Sequence, residues 1–260
     1  MLSKNKIKFI NSIKKKKYRD IHQCFFVEGE KIVDELLHSD MQINSIFATS
    51  TWIQSRHLEL NNIDNKELVE ITDEDLKKIS ALSTPNKVMA VAKKPEYSYT
   101  FDNIKSKLNL FLDNINDPGN LGTIIRIADW FGIEDIFCSL ESVDVYNPKV
   151  VQASMGAIYR TKVHYVDSTE FLRKAIQLND FNIYGTFLEG KNIYEEELKE
   201  NGLIILGSES HGITENLKPF INKKLFIPSF PSNMETSESL NISIAAAITC
   251  AEFRRRAINN

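Results

Sequence analysis

The segment NINDPGNLGTIIRIADWFG (114–132) decides the fold predicted for this 260-residue chain, because it joins a strand to a helix through a polar turn. It follows a short apolar run, LNLFL (108–112), and turns through Asp-Pro-Gly-Asn at 117–120. Proline presets φ and glycine supplies positive φ, so these residues are a strong turn signal. Asn120 is then placed to cap a helix. The apolar stripe of this helix is formed by Leu121, Ile124, Ile125, Ala128 and Phe131.

Arg126 lies nearly opposite that apolar stripe, on the same side as Gly122 one turn earlier. The glycine leaves open backbone beside the guanidinium. A lone helical arginine is most often a solvated surface residue, here close to Asp129. The combination of a glycine-bearing turn, Asn120 and an off-stripe arginine favours a functional site instead.

The chain after residue 107 alternates short apolar runs with helical patterns. The predicted strands are 108–112, 135–139, 162–166, 182–187, 203–206 and 224–227. This alternation predicts an α/β fold with a mostly parallel sheet covered by helices on both faces. Ligands of such sheets gather at the carboxyl ends of the strands. The loops 114–120, 207–212 and 228–239 are therefore the candidate site.

The first part of the chain has a different composition, since nine of the ten glycines lie at or after residue 119. It predicts a small α/β domain with strands at 25–27, 43–49, 67–71 and 87–93. The predicted helices are 5–17, 28–38, one starting near Thr51 and one opening with the capping box at Thr72. The predicted domains are 1–94 and 107–260, joined by a linker at 95–106.

Composition excludes several classes of protein. The chain is 42% hydrophobic and 26% charged, and it has no run of about 18 apolar residues that could span a membrane. The N-terminus lacks the apolar core of a signal peptide. Cys24, Cys138 and Cys250 are far apart and show no CxxC spacing. We therefore expect reduced, mostly buried thiols in a cytoplasmic protein, and no metal site.

The net charge is −3, but basic residues are concentrated at both ends of the chain. Eight basic and no acidic side chains lie between Lys4 and Arg19, and Arg254–Arg256 lie near the C-terminus. Solvated helix faces explain this pattern, and so does a phosphate-contacting surface. The candidate phosphate contacts are Lys14, Lys15, Lys16, Lys17 and Arg19.

The second loop, in LIILGSESHGI (203–213), follows an apolar strand and carries Gly207, Glu209 and Gly212. Flanking glycines let a ligand approach the backbone closely, although an ordinary turn would look the same. The GxGxxG fingerprint and a Walker lysine are absent, which argues against a dinucleotide or P-loop site. His211 has no Asp or Cys partner in the sequence pattern and is interpreted as incidental.

The third loop lies in LFIPSFPSNMETSESLNISIAAAITCAEFRRR (225–256). Ile227-Pro228 ends a strand, and Ser239-Leu240-Asn241 opens a helix that is apolar nearly all round up to Ala251. Such a helix should be buried on more than one side. The polar residues at the start of this helix indicate either a functional site or a subunit interface. The alternative is a core helix with an ordinary serine cap.

Together the three segments resemble the motifs of the SpoU (TrmH) family of RNA ribose 2′-O-methyltransferases. The first motif matches at Asn120, Gly122 and Arg126, and the second at Gly207, Glu209 and Gly212. The third matches at Ile227-Pro228 and 239–241. It departs from the family pattern at Ser229, where the family usually has Met, in a missing glycine before the SLN, and in a longer loop at 229–238. FFVEGEKIVDELL (25–37) also resembles the family's RNA-binding N-terminal domain, which is like small ribosomal proteins.

The resemblance implies a deep trefoil knot in the C-terminal domain, S-adenosylmethionine as methyl donor, RNA as substrate and a homodimer. It implies that Arg126 contacts the reacting nucleotide, that Asn120 and Glu209 position Arg126, and that Ser239 and Asn241 orient the substrate. It also implies an adenosine pocket lined by Gly207, Ile227 and Leu240, with Thr186 in YGTFLEG as a further candidate.

The expected substrate is ribosomal RNA, with transfer RNA as the alternative. Two other classes of protein remain open. A non-catalytic RNA-binding protein with the same fold is disfavoured by the intact motif residues, and a nucleotide-dependent oxidoreductase by the missing GxGxxG.

Overall fold

The computed structural model describes residues 2–56, 67–230 and 239–258, and the chain forms two compact units. Unit 1 comprises Met1–Glu96 and Asp144–Arg160, and unit 2 comprises Tyr97–Val143 and Thr161–Asn260. Residues 144–160, which the sequence assigns to the C-terminal domain, thus lie within unit 1.

Helices and strands alternate through most of the described chain, with three successive strands between residues 183 and 206. The strands are β1 (Cys24–Glu28), β2 (Ile43–Ala48), β3 (Glu67–Glu70), β4 (Val88–Lys93), β5 (Leu108–Leu112), β6 (Asp135–Ser139), β7 (Lys162–Val166), β8 (Ile183–Phe187), β9 (Lys191–Asn192), β10 (Gly202–Leu206) and β11 (Lys223–Phe226). The helices are α1 (Lys4–Ser12), α2 (Lys16–His22), α3 (Glu30–Leu37), α4 (Ser50–Ser55), α5 (Asp73–Ile79), α6 (Phe101–Lys105), α7 (Pro118–Trp130), α8 (Pro148–Ser154), α9 (Ser168–Ala175) and α10 (Ile242–Ile258).

Unit 1 contains a four-stranded sheet in the order β1-β4-β2-β3. Strand β4 is antiparallel to β1 and β2, whereas β2 and β3 are parallel. The predicted cap of α5 is confirmed, because the side chain of Thr72 accepts a hydrogen bond from the Asp75 amide at 3.2 Å. Buried side chains such as Ile10, Phe26 and Leu76 form a hydrophobic core cluster of unit 1.

The prediction of one basic helix at 5–17 is wrong, because α1 ends at Ser12 and α2 starts at Lys16. Lysine favours helix formation, so the local sequence gives no stop signal. The break is stabilised from outside the turn by Arg19, whose Nη1 donates to the carbonyls of Ile13 at 3.0 Å and Lys14 at 2.7 Å. Both carbonyls lie in the turn, so the guanidinium supplies the partners that a continuous helix would have given them.

Unit 2 contains a seven-stranded sheet in the order β7-β6-β5-β10-β8-β11-β9, with every neighbouring pair parallel. The predicted parallel α/β architecture and its six strands are confirmed, with ends that shift by at most one residue. The short strand β9 and the short helix α6, which lies in the predicted linker, were not predicted. Buried aromatic and aliphatic residues, among them Phe111, Phe137 and Phe171, form a core cluster of this unit.

The sheet has a topological switch beside β5. From β5 the chain continues to its neighbours β6 and β7 on one side, and the later strands β8 to β11 fill the other side. The carboxyl ends of β5 and β10 are therefore adjacent at the position where open α/β sheets bind ligands.

Helices α7 and α10 pack side by side and run parallel. Ser243 at the start of α10 contacts Asn120 in the first turn of α7. At the other end, Arg254 donates to the carbonyls of Phe131 and Gly132 at 2.7 and 3.0 Å. Because the arginine satisfies carbonyls at the end of α7, it holds the two helices in register.

The predicted cap of α7 needs correction. The helix begins at Pro118, and its N-cap is Asp117, whose Oδ1 accepts a hydrogen bond from the Asn120 amide at 2.8 Å. Proline suits the first helical position because its missing N–H would have no partner there. Asn120 therefore lies inside the helix, and its side chain is available for other partners.

The remaining global predictions concern membranes and thiols. Within the described ranges, no helix combines the length and the apolar character needed to cross a membrane. Cys24, Cys138 and Cys250 are all free and buried, as predicted. Burial raises the pKa of the Cys250 thiol to about 12, so this side chain is an unreactive core residue.

Candidate active site

The first two motif loops are joined by Asp113, the residue that follows β5. Its amide donates to the carbonyl of Leu206 at the end of β10 at 2.9 Å. Its buried carboxylate accepts a hydrogen bond from the amide of Thr214 at 2.7 Å. Asp113 thus fixes both ends of the loop that follows β10. No local pattern in the sequence marks Asp113, because its role depends on a partner far away in the chain.

The second loop closes on itself through a pair of main-chain hydrogen bonds between Ser208 and Gly212, of 3.0 and 2.8 Å. A Cβ atom on Gly207 would lie 2.1 Å from the carbonyl carbon of Gly212, so only glycine fits there. Gly212 has φ +65°, a left-handed conformation that glycine adopts without strain. The two glycines therefore shape a compact loop with Glu209 exposed at its tip.

Three side chains from the three different motifs meet in one hydrogen-bonded cluster. Oε1 of Glu209 accepts from Nδ2 of Asn120 at 3.3 Å and from Nδ2 of Asn241 at 2.5 Å. Nδ2 of Asn241 also lies 3.0 Å from Oδ1 of Asn120. The amide of Ile242 adds a longer contact to Glu209 at 3.4 Å. The three motifs thus meet at the carboxyl edge of the sheet, where the sequence placed the candidate site.

Ser243, in the first turn of α10, supports this cluster from below and was not predicted. Its Oγ lies 3.1 Å from Oδ1 and 3.3 Å from the main-chain oxygen of Asn120. Its amide donates to Oδ1 of Asn241 at 2.9 Å. The only signal in the sequence was the position of a serine two residues after a motif asparagine, which does not distinguish a support from a solvated helix residue.

Arg126 is exposed on α7, and Leu121, Ile124, Ile125 and Ala128 form the buried face of that helix as predicted. Within residues 2–56, 67–230 and 239–258, its guanidinium makes no hydrogen bond or ion pair. Asn120 and Glu209 bond to each other and to Asn241. The guanidinium is therefore open to a ligand.

Three of the four candidate cofactor residues lie in or directly after neighbouring strands. Thr186 is in β8, Gly207 directly follows β10 and Ile227 directly follows β11, and β8 lies between the other two strands. Oγ1 of Thr186 contacts the carbonyl of Ile205 at 3.4 Å. Leu240, just before α10, is 44% exposed. Ligand sites are commonly lined by uncharged side chains and a few main-chain polar groups, as at the carboxyl ends of these strands. These residues therefore fit the adenosine part of the expected donor.

Ser239 is exposed and makes no hydrogen bond within the described chain, so the structure does not bring it into the cluster. The longer third-motif loop predicted at 229–238 falls largely on residues 231–238, which lie outside the described residues.

The basic residues of unit 1 differ in accessibility. Lys15, Lys16 and Lys17 are exposed. Nζ of Lys14 donates to the carbonyl of Ser80 at 2.7 Å, and burial lowers the pKa of this lysine. Arg19 is only 2% exposed.

The candidate phosphate contacts therefore need correction at Arg19. Its guanidinium is bound to the carboxylate of Asp144 at 2.5 Å and to two main-chain carbonyls, so it is not available to RNA. Arg254 binds carbonyls at the end of α7, and Arg255 and Arg256 pair with Glu252. The C-terminal arginines thus serve the structure of unit 2.

Comparison with known proteins shows what the chain is similar to. The profile of the SpoU rRNA methylase family matches residues 107–251, and that of the MRM3-like substrate binding domain matches residues 4–90. The chain is 26% identical over 250 residues to the 23S rRNA (guanosine(2553)-2′-O)-methyltransferase RlmP of Bacillus subtilis, and the match covers 96% of each protein.

Solved structures show the same fold. A protein from Porphyromonas gingivalis assigned to the TrmH family of RNA methyltransferases is 38% identical, with a TM-score of 0.86 over 98% of this chain and 99% of that one. The SpoU methyltransferase AviRb of Streptomyces viridochromogenes, solved with AdoMet, is 21% identical with a TM-score of 0.83 over 99% and 100% of the two chains. The SpoU profile covers more than half of the sequence, so this protein belongs to the SpoU rRNA methylase family.

Proposed function

We propose that the protein transfers a methyl group from S-adenosylmethionine to a ribose 2′-hydroxyl of ribosomal RNA. The observation that carries this proposal is the Asn120–Glu209–Asn241 cluster, which three family motifs build at the topological switch of a parallel sheet. Membership of the SpoU rRNA methylase family and the 2′-O specificity named for the Bacillus relative support the same reaction.

Thr186, Gly207, Ile227 and Leu240 would hold the adenosine part of the donor. When bound, S-adenosylmethionine supplies a methyl group on a positively charged sulfur. Thr186 and Leu240 are both partly accessible, and neither they nor their two partners carry a charge. They would orient the donor through apolar and main-chain contacts and exclude water from it.

Arg126 would bind the reacting nucleotide. A ribose hydroxyl is a weak nucleophile, so its alignment and polarisation contribute much of the catalysis available to this site. A guanidinium remains protonated in proteins, so we assign Arg126 to holding a phosphate or polarising the hydroxyl. Because Oε1 of Glu209 already accepts three hydrogen bonds, its Oε2 remains to accept a hydrogen bond from Arg126 or from the ribose. Ser239 would contact the substrate at the rim.

The substitution Arg126→Ala tests the reaction. Because Arg126 is exposed and makes no hydrogen bond with the described residues, we expect its loss to change the free energy of unfolding by less than about 0.5 kcal/mol. Binding of S-adenosylmethionine, measured by calorimetry, should persist, whereas transfer of labelled methyl to RNA should be lost. Thr123→Ala, an exposed change on the same helix, is the matched control. Unchanged methylation by the arginine variant would contradict the assignment.

The RNA target is tested with ribosomal and transfer RNA from a strain that lacks the gene. We expect labelled ribosomal RNA, with the methyl group on the 2′-oxygen. If only transfer RNA were labelled, transfer RNA and not ribosomal RNA would be the substrate. Binding without any transfer would indicate a non-catalytic RNA-binding protein. The expected place of this reaction is the cytoplasm.

We assign RNA recruitment to the N-terminal domain at 1–94 and catalysis to the domain at 107–260. The match of residues 4–90 to a substrate binding domain supports the first assignment. Lys15, Lys16 and Lys17 are the exposed members of the predicted contact surface, with Lys14 at its edge.

We also propose that the protein is a homodimer. The outer face of α10 is apolar and has no covering element in the described chain: Ile244 is 52% exposed, Ala251 is exposed, and Ala247 and Ile248 are half-buried. A second copy would cover this face. The family resemblance supports the dimer, and it also supports a deep trefoil knot in the catalytic domain.

A further inference from the structure

We propose that Ser243 is a positioning residue that fixes the orientation of both asparagine amides in the active-site cluster, an inference that rests on the methyl transfer proposed above. Ser243 is 4% exposed and lies in the first turn of α10, beneath Asn120 and Asn241. It contacts both asparagines and does not contact Glu209 itself.

The main chain of Ser243 determines how the amide of Asn241 is turned. Its N–H lies 2.9 Å from Oδ1 of Asn241. A main-chain N–H can only donate, so the atom that faces it must be the amide oxygen and not the nitrogen. The nitrogen of Asn241 is therefore directed to the other side, where it donates to Oε1 of Glu209 at 2.5 Å.

The amide of Asn120 is oriented by Nδ2 of Asn241, which can only donate and faces Oδ1 of Asn120, and the hydroxyl of Ser243 stabilises this orientation as a second donor. Oγ lies 3.1 Å from Oδ1 and 3.3 Å from the main-chain oxygen of Asn120, and these atoms can only accept a hydrogen bond. Oδ1 of Asn120 also accepts from Nδ2 of Asn241 at 3.0 Å. With its oxygen held on this side, Asn120 directs its nitrogen to Oε1 of Glu209 at 3.3 Å.

The two fixed amides concentrate their donors on one oxygen of Glu209. Reversal of either amide would place a carbonyl oxygen against the carboxylate, which would replace an attraction by a repulsion. In the correct orientation both amides bind Oε1, and Oε2 accepts no hydrogen bond within the described residues. By gathering both amide donors on one oxygen, Ser243 thus leaves the second oxygen of Glu209 open to Arg126 or the ribose.

The first test compares Ser243→Ala with Thr249→Val. Thr249 is a matched control because it is buried on the same helix and its hydroxyl has no hydrogen-bond partner in the described structure. Loss of the serine hydroxyl removes one hydrogen bond, so we expect kcat to fall about 5- to 10-fold. The KM for S-adenosylmethionine and the kcat of the threonine variant should stay within about twofold of the wild type.

A double-mutant cycle shows whether Ser243 acts through Asn120. Once Asn120→Ala has removed the amide that the serine orients, adding Ser243→Ala should have no further effect on kcat. Independent, multiplying effects of the two changes would overturn the proposal. An unchanged kcat of Ser243→Ala alone would overturn it as well.

Side-chain amide signals in ¹H–¹⁵N spectra provide a readout that does not need activity. The Nδ2 signals of Asn120 and Asn241 are identified by their absence in the corresponding alanine variants. We expect Ser243→Ala to shift or broaden the Asn120 signal and Thr249→Val to leave both signals in place. An unmoved Asn120 signal refutes the role of Ser243. An inactive wild-type protein with the expected spectral change refutes the proposed methyl transfer instead.

Discussion

Replacing Gly207 by alanine should disrupt the second motif loop for a purely steric reason. The new Cβ would lie 2.1 Å from the carbonyl carbon of Gly212, 2.4 Å from its oxygen and 2.2 Å from the amide nitrogen of Ile213. Carbon atoms in contact lie about 3.5 Å apart or more, so the loop must move by about 1 Å. These three nearest atoms all belong to the backbone, so no side-chain rotation can relieve the clash.

The cost follows from what that movement breaks. The two hydrogen bonds between Ser208 and Gly212 contribute about 1 kcal/mol each. Ile213, only 2% exposed, would lose part of its burial, which adds about 1 kcal/mol. We therefore expect Gly207→Ala to lower the free energy of unfolding by about 2–4 kcal/mol. Because Glu209 lies on the displaced loop, methyl transfer should fall as well.

Urea denaturation and the methyl-transfer assay measure the two effects. Gly212→Asn is the matched control, since Gly212 has φ +65° and no atom within 4 Å of an added Cβ, and asparagine tolerates that conformation better than other residues. It should cost about 1 kcal/mol or less and leave a folded, active protein. A Gly207→Ala protein with wild-type stability and activity would refute the steric argument.

Two further outcomes are expected from surface variants. Changing Lys15, Lys16 and Lys17 to glutamine should weaken RNA binding and reduce the slope of log K against log salt by up to about three. The same change at the exposed Lys174, Lys191 and Lys224 should leave the slope intact. If the Lys15–Lys17 variant kept the wild-type slope, these lysines would be a solvated helix face and not phosphate contacts. Changing Ile244 to glutamate should convert the dimer to a monomer in light scattering, because it places a charge in the apolar face of α10. Glutamate at Ile176, which is 39% exposed elsewhere on unit 2, should leave the dimer intact. A monomeric wild-type protein would contradict the proposed dimer.

The sheet of unit 2 was predictable because its strands are short apolar runs separated by polar turns. The parallel order of these strands places their carboxyl ends together, so the sequence also located the loops that meet there. The exposed position of Arg126 followed from helical spacing alone. These features depend on local periodicity, which a single sequence displays directly.

The errors occur where a distant residue decides the local structure. The break between α1 and α2 depends on the buried guanidinium of Arg19, which is held by the carboxylate of Asp144, 125 residues further along the chain. Asp113 and Ser243 act through partners more than a hundred residues away, so no local pattern marks them. The error at the N-cap of α7 is of another kind, because the signal is local. Proline favours the first position of a helix, so Pro118 marks Asp117, and not Asn120, as the N-cap.

The placement of residues 144–160 in unit 1 has a consequence for experimental dissection of the protein. A fragment that ends at residue 96 would leave the guanidinium of Arg19 without the carboxylate of Asp144. It would also leave Phe25 without the ring of Tyr146, whose centroid lies 4.6 Å away. A buried cation without its partner is strongly destabilising. Failure of such a truncated fragment to capture RNA would report its misfolding, so recruitment must be measured with the intact chain.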